Sequence, residues 1–448
     1  MTKSRLSTRI LHLLSSTTFS GLVSFLTTLV LSGHVLPIVF GQFSIIVGFL
    51  NAFIVISQNS NSHFLAAHMF PSSPESHIKR VYSYVITSTA FSSAVVVLVS
   101  LIVLSLLGSL SVLPRWISPQ VLTIASFYVV TEACYSCLSH RFIITKTTAL
   151  LSIINLIKSL AKNIASLIVL FGLRDSGINV FMSCLFVSGL ISSCALIFYS
   201  SDINLDFLIS SLSKVRLVLI RGLSRSITGT FVFLVKPILN VYVVSLISLE
   251  IYGIFGLGQT FFQYFQSLVQ PLLNAALPAS LSLREGKDAN QKAHNIHQYY
   301  SVICLFLFVV CVVLYFAGSY FSSLYIGPLY QQAYLILILL LSIEILRVGS
   351  INSFVQLTRL QRIRPFRILD IFDFASTLLA CIPLAYFYGL IGYLSGLYLL
   401  QIIRVVLIRR LSSYRVSLND LPTHVLSACL SGSIFILTLT KIPKDLFS

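Results

Sequence analysis

Three groups of polar side chains lie inside otherwise apolar stretches of this sequence, and each suggests chemistry. The first is a run of amides, Gln259, Gln263, Gln266, Gln270 and Asn274, spaced 4, 3, 4 and 4. On a helix this spacing forms one continuous stripe. Amides donate and accept hydrogen bonds without carrying charge, which suits sugar hydroxyls, and Tyr264 adds an aromatic surface. Interhelical hydrogen bonding is the competing use of such residues in a membrane. Five in register favour a water-filled wall. The second group is cationic. Asn155, Lys158 and Lys162 recur at i, i+3 and i+7 and so share a helix face. Lys236 stands mid-stretch directly before Pro237, which frees a backbone carbonyl, and Arg225 lies nearer the end of the same stretch. Deep cations are costly in a bilayer. Together they describe a surface that attracts an anionic headgroup. The competing reading pairs Lys158 or Lys236 with Glu132 or Glu344 as a packing lock.

The third group is acidic. Glu132 is the best candidate for a protonatable coupling group. Glu344 and Arg347, at i and i+3, read as a structural pair along one helix. Asp370 and Asp373 fall near the end of a stretch that faces the Arg359–Arg367 loop, where they form ion pairs or a gate. Ser16, Thr17, Ser20, Ser24, Thr27 and Thr28 suit close packing or a hydrophilic wall. The 8 cysteines all sit in apolar stretches and read as small hydrophobes. Cys134-x-x-Cys137 has no second pair, so no metal is expected. His63, His68 and His77 read as loop residues.

The elements that position these residues follow from composition. Apolar residues make up 56% of the 448 and charged residues 10%, and the mean hydropathy is +0.93. A soluble protein would have too few charges to cover its surface, and disorder is excluded for the same reason. The net charge of +17 would suggest nucleic acid in a soluble chain. Here it reads as topology and contact with anionic lipid. Twelve stretches are long and apolar enough to cross a bilayer: 10–32, 38–58, 81–108, 117–139, 147–171, 177–199, 223–247, 252–280, 299–322, 331–355, 368–388 and 390–408. A shorter candidate, 424–440, either crosses or lies re-entrant. The first stretch reads as a span, not a cleavable signal.

With the N-terminus in the cytoplasm, 20 Lys and Arg residues fall in inner segments and only 2, Arg115 and Arg174, in outer ones. That asymmetry fixes the orientation. If 424–440 crosses, Lys441 and Lys444 lie outside, against the rule. Outer turns are very short, including a single-residue turn at Gly389. They leave no room for the large catalytic loop that an oligosaccharide polymerase or ligase would need. No Walker-A pattern occurs, so ATP hydrolysis by this chain is not expected.

The two halves carry one pattern. Phe40-Gly41-Gln42-Phe43 and Tyr252-Gly253-Ile254-Phe255 both place aromatic-Gly-x-Phe at the outer turn after a first span, 212 residues apart. With six spans per half this predicts a parallel repeat.

On these residues the chain resembles the polysaccharide transporter family of the multidrug/oligosaccharidyl-lipid/polysaccharide exporter superfamily, and within it the Wzx-type O-antigen flippases. Phe40-Gly41 and Tyr252-Gly253 resemble the family's aromatic-Gly turns. The stretch ending at Pro271 to Pro278 resembles its long second-half helix, and Ile326-Gly327-Pro328-Leu329-Tyr330-x-x-Ala333 resembles its Gly-x-x-Tyr-x-x-Ala turn. The first-half turn lacks the acid often found before the aromatic. The resemblance implies an all-α protein of about twelve helices in two six-helix bundles, 1–205 and 206–415, around a central cavity, with 416–448 as a tail holding the extra segment. It implies a bacterial inner-membrane flippase, not an enzyme, that carries a polyprenyl-pyrophosphate-linked oligosaccharide (O-antigen or capsule repeat unit) from the inner to the outer leaflet by alternating access. The lysines would then meet the pyrophosphate and the amides the sugars. Expected partners are that lipid-linked oligosaccharide, membrane lipids and other polysaccharide assembly proteins, not nucleic acid. No cofactor is expected, and proton or sodium coupling stays open. The alternative is a multidrug or cation exporter of the same fold. Such a protein should hold an acid deep in span 1 or 7, and neither span contains one.

Overall fold

The computed structural model describes residues 3–68, 83–95, 97–98, 102, 119–144, 148–168, 178–199, 242, 246–281, 289–359, 363–412 and 421–442. All regular structure among them is helical, as the sequence predicts. The helices are α1 (Lys3–Ser32), α2 (Pro37–His68), α3 (Pro119–Ile144), α4 (Thr148–Ile168), α5 (Ile178–Tyr199), α6 (Leu249–Leu281), α7 (Ala289–Tyr325), α8 (Ala333–Arg359), α9 (Ile363–Ser376), α10 (Ile382–Ser412) and α11 (Leu421–Lys441). Among the described residues, 5 helical stretches meet the length and hydropathy of a full membrane span. Several helices outrun their apolar cores. α2 continues to His68, so His63 and His68 are helical and not in a loop.

The chain divides into two compact units, Met1–Thr27 with Phe43–Ile238, and Thr28–Gln42 with Leu239–Ser448. In the first, α2, α3 and α5 share a core of Ile46, Leu50, Ile54, Ala125, Val129, Met182 and Leu185. Small residues bring α3 and α5 close. A Cβ on Gly189 would sit 2.9 Å from Thr131 Oγ1, and Ser193 Oγ donates to the Thr131 carbonyl at 2.9 Å. Close approach through Gly and Ser is how helices associate where the surroundings are as apolar as the side chains.

The second unit is built around α8, which packs against α6, α7, α10 and α11. Its sequence is apolar on every side from Leu335 to Leu341, all of it buried, as a central helix requires. α11 runs antiparallel to α8 over its depth. Near its start, His424 Nε2 and Ser353 Oγ are 3.2 Å apart. At mid-helix, Ser431 Oγ donates to the Ser342 carbonyl at 2.8 Å. At its end, Lys441 Nζ donates to the Tyr315 carbonyl at 2.6 Å and lies 5.8 Å from the Tyr334 ring centre. The 21 residues of α11 measure about 30 Å at 1.5 Å per residue, the thickness of a hydrocarbon core. The extra segment therefore runs alongside α8 over most of its length and is long and apolar enough to cross a membrane. Lys441, which would break the charge rule if this helix crosses, is held by a carbonyl and two aromatic rings.

Gly389 (φ 57°, ψ −140°) and Tyr388 interrupt α10. The positive φ, which glycine adopts at no steric cost, makes the turn between the eleventh and twelfth predicted spans. The first arm of α10 joins α9 through a π-helical turn at Thr377–Cys381.

The repeated glycines meet. Pro37 opens α2 and Leu249 opens α6, so Gly41 and Gly253 occupy the same place in each helix. A Cβ on Gly41 would lie 2.5 Å from the Leu249 carbonyl oxygen, and one on Gly253 would overlap the Pro37 carbonyl oxygen. Each glycine thus receives the first residue of the other helix, a reciprocal contact. The third motif docks beside it. Tyr330, fully buried, donates to the Val35 carbonyl at 3.0 Å and meets Phe40 edge-on.

Candidate functional site

In the first unit, α3 and α4 form a hairpin that sets Glu132 opposite Lys158. The ammonium lies 2.5 and 2.6 Å from the two carboxylate oxygens. Lys158 also covers the Tyr135 ring, 3.8 Å from its centre, and the Tyr135 hydroxyl donates to Asn155 Oδ1. Both charged side chains keep some access, 20% for Lys158 and 18% for Glu132. For Lys158 the structure therefore has the pairing that the packing-lock alternative named. The ammonium of Lys162, one turn further on the same face, makes no hydrogen bond or ion pair with a described residue. The neighbouring face of α4 is polar too. Asn163 Nδ2 donates to Ser24 Oγ at 3.0 Å, and Ser24 and Ser159 hydroxyls are 3.2 Å apart. Ser24, from the Ser/Thr face of span 1, is thus used in packing α1 against α4.

In the second unit, α6 carries the amide stripe. Gln266 Nε2 donates to Glu344 Oε2 on α8 at 3.2 Å. Glu344 also accepts two bonds from Arg347, from Nε at 2.8 Å and Nη2 at 2.5 Å. The geometry is bidentate, the strongest form of guanidinium–carboxylate contact. Glu344 is 3% exposed and Arg347 36%. The amide stripe and the Glu344–Arg347 pair, separate in the sequence, thus form one network at Gln266. Gln263 is exposed and Gln259 half-buried. Tyr264 does not stand beside the amides as a free aromatic surface. Its hydroxyl lies 2.8 Å from Thr28 Oγ1, within the same unit.

Arg225 and Lys236 lie outside the described residues, and so do the side chains of Gln270, Asn274 and Asp370. Asp373 takes a partner the sequence did not suggest. It pairs with Arg404 on α10 at 3.2 Å; the side chains of the Arg359–Arg367 loop lie outside the described residues. The signal was present. Asp373 and Arg404 lie at nearly equal distances either side of Gly389, so a hairpin folded there sets them level. The same register argument places Glu132 level with Lys158 across the turn between α3 and α4.

No protein-family model and no curated protein matches the sequence. Solved structures do. An inward-facing multidrug resistance MATE family transporter of the MOP superfamily aligns over 90% of this chain and 98% of its own, with TM-score 0.61 at 14% identity. The lipid II flippase MurJ, in an inward closed conformation, aligns over 96% of this chain and 92% of its own, with TM-score 0.63 at 14% identity. A point mutant of the Vibrio cholerae MATE transporter VcmN gives 0.60 at 14% identity over 92% of this chain and 98% of its own. The chain therefore has the helical membrane-transporter fold that these proteins share.

Proposed function

We propose that this protein is a flippase that moves a polyprenyl-pyrophosphate-linked oligosaccharide, an O-antigen or capsule repeat unit, from the cytoplasmic to the outer leaflet of a bacterial inner membrane by alternating access. The observation that carries this reading is the charge on the α3–α4 hairpin. Lys158 and Lys162 stand one turn apart, and the one carboxylate of the hairpin, Glu132, pairs with Lys158. The face keeps a net positive charge inside a helix of membrane length, which favours an anionic ligand. Likeness of fold to a lipid II flippase supports the substrate class.

Glu132 is the proposed coupling group. When it takes a proton, Lys158 loses its counter-ion and is released to the pyrophosphate. Lys162 supplies the standing charge, with Lys236 and Arg225 as further contributors. Gln259, Gln263, Gln266, Gln270 and Asn274 receive sugar hydroxyls, and Arg347, which the sequence reads as mainly structural, meets Gln266 at Glu344 as a further cation. A second reading, export of organic cations, draws on the comparable likeness to MATE transporters. The acids that such a substrate needs, Glu132, Glu344 and Asp373, are each ion-paired here.

The test is to follow lipid-linked glycan by leaflet in cells deleted for this gene. Inner-leaflet accumulation that the wild-type gene reverses and Lys162→Ala does not is the expected result. Normal leaflet distribution in the deletion strain, together with new sensitivity to cationic drugs, would establish the second reading instead.

A further inference from the structure

The second unit carries a groove that the transport reading does not use. It opens between α10 and α11 over α8 and encloses about 450 Å³. Its wall is mostly apolar, formed by Leu346, Ile402, Val406, Val425 and Ala428, with His424 also lining it. Val406 and Val425 are about half exposed, so the wall is open to its surroundings. At one end stand Arg409 and Arg410, the basic residues in the last turn of α10. At the other end is Tyr398, stacked on Phe435 of α11 with ring centres 3.9 Å apart.

Its dimensions match one class of ligand. From Tyr398 to Arg410 the helix rises about 18 Å, close to the depth of one leaflet of hydrocarbon. Two arginines stand in the last turn of α10, where a helix of membrane length meets headgroups. Basic pockets between membrane helices, with apolar walls below them, recognise anionic lipid headgroups. Arginine forks match phosphate oxygens well. Cations serving topology alone need no concave apolar wall beneath them. Ordinary annular lipid needs no cation pair above it.

We infer that this groove is a binding site for an anionic glycerophospholipid, with one acyl chain along Leu346, Ile402, Val406 and Val425 and the phosphodiester at Arg409 and Arg410. The site is separate from the proposed transport groups and does not rest on the flippase reading.

Native mass spectrometry of the full-length protein, titrated with phosphatidylglycerol or phosphatidylcholine, tests it. The wild-type protein should retain one phosphatidylglycerol at about a tenfold lower concentration than phosphatidylcholine. The Arg409→Gln/Arg410→Gln variant should lose that preference, and Arg409→Lys/Arg410→Lys should keep part of it. Ala428→Trp, which fills the groove and leaves the arginines in place, should weaken phosphatidylglycerol binding to a similar extent. Inorganic phosphate in excess should not displace the lipid. Equal binding of the two lipids by the wild-type protein would overturn the assignment without recourse to any variant. So would full preference in the double Gln variant, or displacement by phosphate alone.

Discussion

In the first unit an acid and a lysine meet across a hairpin, Glu132 on α3 and Lys158 on α4, and each keeps about a fifth of its side-chain surface open (18% and 20%). In the second unit the acid Glu344 is almost closed off at 3%. It is held by two bonds from Arg347 on its own helix and one from Gln266 on α6. The difference teaches which carboxylate is free to change partners. Breaking a buried, multiply bonded pair strands a charge, and the cost is large. A pair with access to solvent or substrate can exchange its counter-ion at modest cost. The hairpin pair is therefore the one suited to coupling, and the α6–α8 network the one suited to holding the second unit together.

The contrast can be broken most severely at Arg347. Arg347→Ala leaves Glu344 buried with Gln266 alone and should cost about 3–5 kcal/mol. It should appear as a sharp loss of folded protein in thermal melts monitored by size-exclusion chromatography. Adding Glu344→Gln should recover most of it. If Arg347→Ala melts like the wild type, the network does not hold the unit. Next comes Lys158→Ala, which leaves a partly exposed Glu132. It should cost about 1 kcal/mol, be relieved by Glu132→Gln, and abolish transport all the same. A variant as unstable as Arg347→Ala would show that the two pairs are equivalent.

Smaller effects sharpen the comparison. Gln266→Leu removes a hydrogen bond to a buried charge and should cost about 1.5 kcal/mol. Gln263→Leu should leave the melting temperature unchanged and lower export several-fold. Equal melting temperatures for the two variants would detach Gln266 from the Glu344 network. Lys162→Ala should leave stability untouched and cut transport, and Lys162→Arg should retain much of it. If Lys162→Ala transports normally, the standing charge plays no part.

Among the described residues the helices and the Gly389 turn were legible because they depend on local signals; span 223–247 and much of 81–108 lie outside those residues. Apolar runs of bilayer length and a glycine at 389 are written within a few residues, whereas Phe40-Gly41 and Tyr252-Gly253, read as turns, lie inside the first turns of α2 and α6. The reciprocal fit of Gly41 and Gly253 was legible as a repeat, though not as a contact, since periodicity gives offset and not distance. Pairings across the chain were less accessible. Glu132–Lys158 was one of several allowed pairings, and only the register of the α3–α4 hairpin selects it. Gln266–Glu344 depends on how α6 crosses α8, which no local spacing encodes. The depth of α11 was unreadable because 424–440 is short and its terminal Lys441 argued against crossing. The carbonyl and aromatic rings that hold that lysine come from α7 and α8.

Transport itself is tested most directly in proteoliposomes. Purified protein would be reconstituted with a fluorescent polyprenyl-pyrophosphate oligosaccharide confined to one leaflet, and its arrival in the other followed by an impermeant quencher. Protein-dependent transfer, slowed about tenfold or more by Lys162→Ala and little by Lys162→Arg, is the predicted result. No transfer above protein-free vesicles, with uptake of a cationic dye by the same proteoliposomes, would contradict it.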